Sequence, residues 1–279
     1  MRIDAHQHFW RYDAARYGWI ADGGLAALQR DFLPADLDPL LRANGMQGSI
    51  AVQARQDVEE TEWLLDLAAE TSWILGVVGW VDMRSETVDV ELERLRARAG
   101  GDRLVGLRHV VQDEPPGFLD DPTFRAGVAQ LAKHDLTYDV LVYERQMEEA
   151  VRFCAAFPDQ RLVLDHIGKP RIADGAIDEW ARRLRELGAM EHVTCKVSGM
   201  VTEADHASWT YEQITPYIDA AYEAFGPERL VFGSDWPVCT LAADYGRVCE
   251  VFDNWQRSLS LVGASVDTSA GVRATYGIG

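Results

Sequence analysis

Cysteine is scarce in this chain and poorly placed for bonding. Cys154, Cys195, Cys239 and Cys249 are widely spaced, with no Cys-x-x-Cys pair. In 279 residues that pattern points to reduced thiols and away from a disulfide framework or a structural zinc site. Long apolar runs are missing too: none approaches the roughly 18 residues of a membrane helix. The first residues form a charged strand with no hydrophobic signal region, so export is not expected and the cytoplasm is the expected location. Positive charge is short, with 27 Lys and Arg against 45 Asp and Glu and a net charge of -18. That excess excludes nucleic acid and anionic membrane as expected partners. There is no linker, repeat or low-complexity tract.

What the chain does have is alternation. Short apolar runs begin near Ile3, Ser49, Ile74, Leu104, Leu136, Leu162, Val193 and Leu230, about 25 to 46 residues apart. Each interval has room for a strand, a helix and two loops. Helical periodicity fills the intervals: Val88, Leu92, Leu95 and Ala99 share a face, as do Met147, Ala150, Cys154 and Phe157. Ile177, Ala181, Leu184 and Gly188 repeat the pattern, and so do Ile214, Ile218, Ala221 and Phe225. Asp121-Pro122 reads as a helix start. Runs such as Gly76-Val77-Val78-Gly79-Trp80-Val81 are apolar on both faces, which suits a parallel sheet covered by helices. Eight such units predict an α/β chain folded as a (β/α)8 TIM barrel, one domain over residues 1–279. A doubly wound open sheet is the competing architecture. It calls for a glycine-rich phosphate turn after the first strand, where Phe9-Trp10-Arg11-Tyr12 stands instead.

In a barrel the chemistry sits at the C-terminal strand ends. Strand one runs into His6-Gln7-His8, whose two histidines share one face. Such a pair can grip a metal or polarise a carbonyl beside a bound water. The other ends supply Gln53, Trp80, Arg108-His109, Tyr143, Asp165-His166, Lys196 and Asp235-Trp236. By alternation His109 is expected to face away from the site beside Arg108, and Asp165 away beside His166. His206 is expected not to reach a substrate. The long first connection, Phe9 to about Asp36, is rich in aromatics and is expected either to line the site or to pack on neighbouring loops.

These segments, Asp4-Ala5-His6-Gln7-His8-Phe9-Trp10, Val163 to Pro170, Cys195-Lys196-Val197-Ser198-Gly199 and Phe232 to Pro237, resemble the amidohydrolase superfamily. Further features, Ser49 to Arg55, Val78-Gly79-Trp80, Tyr138 to Val142 and Gly199 to Asp205, resemble its sugar-lactonase branch, with the nearest likeness to L-fuconolactonases. The resemblance implies a hydrolase of carbohydrate catabolism that opens the lactone of an aldonic acid, its partner being that small molecule. The competing readings are another carboxylic-acid lactonase or a decarboxylase on the same scaffold, for which Arg108, Lys196 and Arg55 would supply cations, and a non-catalytic binding protein, against which Asp235 and the two early histidines stand. Lactone hydrolysis needs a base, donors for the oxyanion and an acid for the leaving alkoxide. On that basis Asp235 is expected as the base, and His6, His8 and His166 as the groups that position water and polarise the carbonyl. Arg108 and Lys196 supply fixed positive charge, and Trp10, Gln53, Trp80, Tyr143 and Trp236 line the sugar site. Two departures from the superfamily pattern matter. Strand five ends in Val142-Tyr143 where metal-dependent members carry a histidine, and Ser269-Ala270 replaces the usual closing Asn-Ala, which leaves the form of the last helix open. His6, His8 and Asp235 could hold one divalent ion such as zinc. Without the strand-five ligand that site is weaker, so metal-independent catalysis is the favoured expectation.

Overall fold

The computed structural model describes residues 1–23 and 25–279; Gly24, in the first connection, lies outside the described residues. Eight parallel strands follow in sequence order: β1 Ile3–Gln7, β2 Gly48–Val52, β3 Ile74–Gly79, β4 Leu104–Val110, β5 Thr137–Leu141, β6 Leu162–Leu164, β7 Val193–Val197 and β8 Leu230–Phe232. The ring closes just past the end of β8, where His8 N donates to Trp236 O at 2.7 Å and Asp235 N to His6 O at 2.8 Å. Asp4 tightens the same seam: its buried carboxylate accepts from the Ser234 amide at 2.8 Å and the Tyr245 hydroxyl at 3.1 Å. The (β/α)8 barrel is therefore the fold. All eight strands begin within one residue of where the apolar runs place them.

Each strand is followed by a helix packed on the outside of the ring, from Pro34–Ala43 after β1 to Tyr245–Leu261 after β8. The local causes are those the sequence shows. Asp121 caps the helix Pro122–Val128 by accepting from Thr123 N at 2.8 Å, which satisfies an otherwise orphaned donor. The helix Met147–Ala155 stops before Phe157, because Pro158 restricts its predecessor to extended backbone. Ala99 likewise falls outside its helix, Val88–Arg96, where Gly100 turns the chain at a φ of +72°. The last helix, Thr268–Tyr276, does form. It lies under the barrel, where Val272 and Tyr276 pack on Ile3, Ile50, Val78, Val105, Val163 and Val231. All four cysteines are free and buried. Among the described residues no helix is long and apolar enough to cross a membrane.

Candidate active site

The upper half of the barrel interior is ionic. Arg108 of β4, Asp139 of β5 and Lys196 of β7 point inward, and Asp165 joins them from the end of β6. Lys196 Nζ lies 2.5 Å from Asp139 and 2.9 Å from Asp165. Asp165 in turn pairs with Arg108 Nη1 at 3.0 Å. Tyr276 of the last helix donates to Asp139 from below at 2.8 Å. Four buried charges thus compensate one another, as low-dielectric surroundings require. Burial would raise Asp165, but Lys196, His6 and Arg108 hold its carboxyl well below the usual range. Burial pushes Asp139 up to about 6.

The histidines and Asp235 stand on this layer. His8 Nε2 lies 3.3 Å from Asp235 Oδ1, His6 Nε2 3.9 Å and His166 Nε2 4.0 Å. His8 Nδ1 faces Val52 O at 2.8 Å. A carbonyl only accepts, so Nδ1 carries the hydrogen and Nε2 is the atom turned to Asp235. His166 is fixed by Ser198 Oγ at 2.9 Å. Burial draws its pKa down to about 3, so the ring is neutral near pH 7. Burial and then Lys196 lower His6 well below the usual imidazole range. Burial would raise the Asp235 carboxyl, but His166, His8 and His6 overcome that and keep it ionised below the ordinary carboxylate range.

The backbone here is unusual. Asp235, His166, Ile167 and Lys169 all have left-handed φ, between 47° and 59°. For a β-branched residue such as Ile167 this is a genuine outlier, and strain of about 1–3 kcal/mol per residue persists only where the surroundings impose it. Gly199 shows the imposition: a Cβ there would meet His166 Nδ1 at 2.6 Å.

A cavity of about 650 Å³ opens above the cluster. His8, Gln53, Arg108, Tyr143, His166 and Asp235 line it, together with Arg16, Trp19 and Leu25 of the first connection. That connection therefore does both of the things expected of it, since Trp10, Tyr17 and Phe32 pack beneath. Glu60, which the sequence reading passed over, anchors it. Its buried carboxylate accepts from Tyr17 Oη, Ala54 N and Arg55 N at 2.7–2.9 Å, and burial pushes it to about 7.

Several expectations need correcting. Asp165 faces the interior, not the helices, because it continues the inward face of Val163; the left-handed turn then swings His166 inward as well. His6 and Lys196 are fully buried below the cavity floor and do not line it. Lys196 Nζ reaches His6 Nδ1 at 3.2 Å, so it meets the site through that ring. Trp236 turns away beside Asp235 to pack on Phe32 and Phe9. Trp10 is buried, its indole donating to Arg30 O at 2.9 Å. Trp80 donates to His109 Nδ1 at 3.2 Å, and His109 stacks on Phe118, outside the site as expected. None of these three tryptophans lines the cavity, whereas His206 does.

His6, His8 and Asp235 can each offer a ligand atom within 4.8 Å of the others. A tetrahedral zinc with bonds of about 2.0–2.1 Å has ligand atoms about 3.4 Å apart, close to the His8–Asp235 spacing. The donor set fits such an ion, with one competitor: Arg108 Nη1 lies 3.1 Å from His6 Nε2. The guanidinium is itself pinned, Nη2 donating to Gln53 O at 2.5 Å and Oε1 at 2.8 Å. Arg108 Nε and Gln53 Nε2 are buried donors without a protein partner, which in a native site calls for a ligand or water.

Known proteins share this arrangement's frame. A family model described as amidohydrolase matches residues 3–255. An L-fucono-1,5-lactonase of Burkholderia multivorans is 48% identical over 270 residues, covering 92% of this chain and 89% of that protein. An L-fucono-1,5-lactonase of Burkholderia ambifaria is 40% identical, covering 88% and 83%. A crystal structure of an amidohydrolase from Burkholderia multivorans with bound zinc superposes with a TM-score of 0.93 at 44% identity, over 100% of both chains.

Proposed function

The chain belongs to the amidohydrolase family, and on that premise we propose that residues 1–279 act as one catalytic domain that hydrolyses a sugar lactone, L-fucono-1,5-lactone or L-galactonolactone, to the open-chain acid. One observation carries the reading. An ionised carboxylate ringed by three histidines faces a pinned guanidinium with spare donors nearby, at the floor of a cavity sized for a small ring. The curated relatives' lactonase activity supports it.

In the proposed mechanism Asp235 takes a proton from a water held between it and His8. The oxygen adds to the lactone carbonyl. Arg108, assisted by neutral His166, faces the oxyanion, and preorganised charge of this kind is often the largest catalytic term. As the C1–ring oxygen bond breaks, the proton on Asp235 passes to the departing oxygen. Lys196 fixes Asp165 and His6 from below. Gln53 and Tyr143 meet sugar hydroxyls from the wall. A divalent ion, when bound, would be held by His6, His8 and Asp235 and would supply Lewis acidity. We infer that the reaction does not depend on it, because Arg108 competes for His6 Nε2 and strand five turns Leu141 to the cavity in place of a ligand.

The test is aldonolactone hydrolysis followed with a pH indicator, on parent and Asp235→Asn protein dialysed against chelator and checked for metal. Full parental activity in metal-poor protein is expected, and a fall of about 10²–10⁴-fold in the variant. Equal rates for the two proteins would remove Asp235 from its role, and loss of activity with the metal would reverse the metal inference.

A further inference from the structure

We propose that the Lys169–Glu203 pair on the cavity wall grips adjacent hydroxyl groups of the substrate, and so selects an uncharged, polyhydroxylated lactone over lactones that carry a further carboxylate. The proposal rests on the lactonase reading above and adds the residues that set its substrate class.

Four cationic side chains line the cavity: Arg16, Arg55, Arg108 and Lys169. Each already has a carboxylate partner: Arg16 with Glu59 at 3.2 Å, Arg55 with Asp57 at 3.4 Å, Arg108 with Asp165 at 3.0 Å and Lys169 with Glu203 at 3.0 Å. Among the described residues no lysine or arginine on the wall is left unpaired for an anionic substituent. The four pairs differ in one respect. Glu59, Asp57 and Asp165 do not line the cavity, whereas Lys169 and Glu203 both do.

The pair is built by the same turns that build the catalytic cluster. Lys169 ends the left-handed turn that carries His166. Glu203 ends the short helix Met200–Glu203, which begins after Ser198 and Gly199. The two groups therefore bridge the ends of β6 and β7 beside His166. Lys169 Nζ lies 5.6 Å from the centroid of the Tyr143 ring, which holds it from a second side. Burial would lower its pKa, but Glu203 and Asp235 hold it above the usual lysine range, so the ammonium is a permanent donor.

An ammonium only donates and a carboxylate only accepts. Two neighbouring ring hydroxyls can accept from the first and donate to the second at once, which matches a donor and an acceptor 3.0 Å apart. A ring without hydroxyls has nothing to offer this pair. A ring bearing a carboxylate meets Glu203 with like charge, a cost that the neutralised Lys169 does not offset.

The experiment is steady-state kinetics of the full chain on an aldonolactone and on δ-valerolactone, a six-membered lactone without hydroxyls. Parent, Glu203→Gln, Lys169→Met, Lys169→Arg and the double variant Lys169→Met/Glu203→Gln are compared. The ratio of kcat/KM for the hydroxylated over the plain lactone is expected to fall about tenfold or more in each neutralised single variant, mostly through KM, as loss of a charged hydrogen bond predicts. The double variant falls by less than the product of the two, and Lys169→Arg recovers part of the ratio. Glu203→Gln keeps the shape of the side chain, so it tests the proposal even if Lys169→Met fails to fold. An unchanged ratio in folded Glu203→Gln, or an equal loss on both substrates, overturns the proposal. A parent protein inactive on every aldonolactone overturns the lactonase reading itself, and that result needs no variant.

Discussion

The two halves of the barrel interior are made by the same eight strands and solve opposite problems. The lower half is filled by Ile3, Ile50, Val78, Val105, Val163 and Val231 and closed by the last helix; none of these residues has left-handed backbone. The upper half is filled by charge. Arg108, Asp139, Asp165 and Lys196 neutralise one another, and four residues at its rim are held in left-handed backbone. The lower half supplies free energy by removing apolar surface from water, and any residue of similar volume serves there. In the upper half each group is needed by the next, so stability and geometry are inseparable. The difference teaches that the strain and charge of the site are carried on a layer whose only task is to stay closed. Tyr276 joins the two, reaching from the apolar plug to Asp139.

Substitutions separate the halves. Arg108→Met removes one partner of a buried pair and leaves Asp165 with a weaker counter-charge. Urea unfolding followed by tryptophan fluorescence is expected to show a loss of about 3–5 kcal/mol, with kcat/KM down by about 10²–10³-fold; a stable, inactive variant would mean that the ionic layer serves chemistry alone. Tyr276→Phe withdraws a hydroxyl from a carboxylate and is expected to cost about 1.5–3 kcal/mol. If its kcat falls as well, the halves are coupled through Asp139, and an unaltered kcat with lowered stability would confine Tyr276 to closure. Val231→Ala should cost least, about 1–2 kcal/mol, with both kinetic constants at parental values. A kinetic defect there would break the division.

The fold was legible because period-2 and period-3.6 patterns report burial directly, and in a parallel barrel both strand faces are buried. The gathering of His6, His8, His166, Arg108 and Asp235 at one end followed from reading strand ends alone. What failed was alternation past the last residue of a strand. Asp165 and His166 both turn inward because the chain leaves strand geometry between them, at a φ of 53° for His166; nothing in their identity announces that. The tryptophans misled for a related reason. Trp10 and Trp236 look like sugar platforms, yet they stabilise the loops around the mouth by packing on Phe32. Asp4 and Glu60 escape notice because most of their partners are backbone amides and their one side-chain donor each, Tyr245 and Tyr17, lies far away in sequence. For Asp4 the available signal was a carboxylate between Ile3 and Ala5 in a buried strand, where an acid must find donors; Glu60, flanked by Glu59 and Thr61, carries no such signal.

Pairing every cation on the wall has a consequence for turnover. Ring opening converts an uncharged ligand into an anion while it is still inside the cavity. Among the described residues the product then meets on the wall only cations already paired with carboxylates, Arg108 included, with Asp113, Glu203 and Asp235 around it and beyond them a protein of net charge -18. The reaction thus creates the repulsion that empties the site, and the chain's acidity works as an exhaust: what enters by shape and hydroxyl pattern leaves by charge.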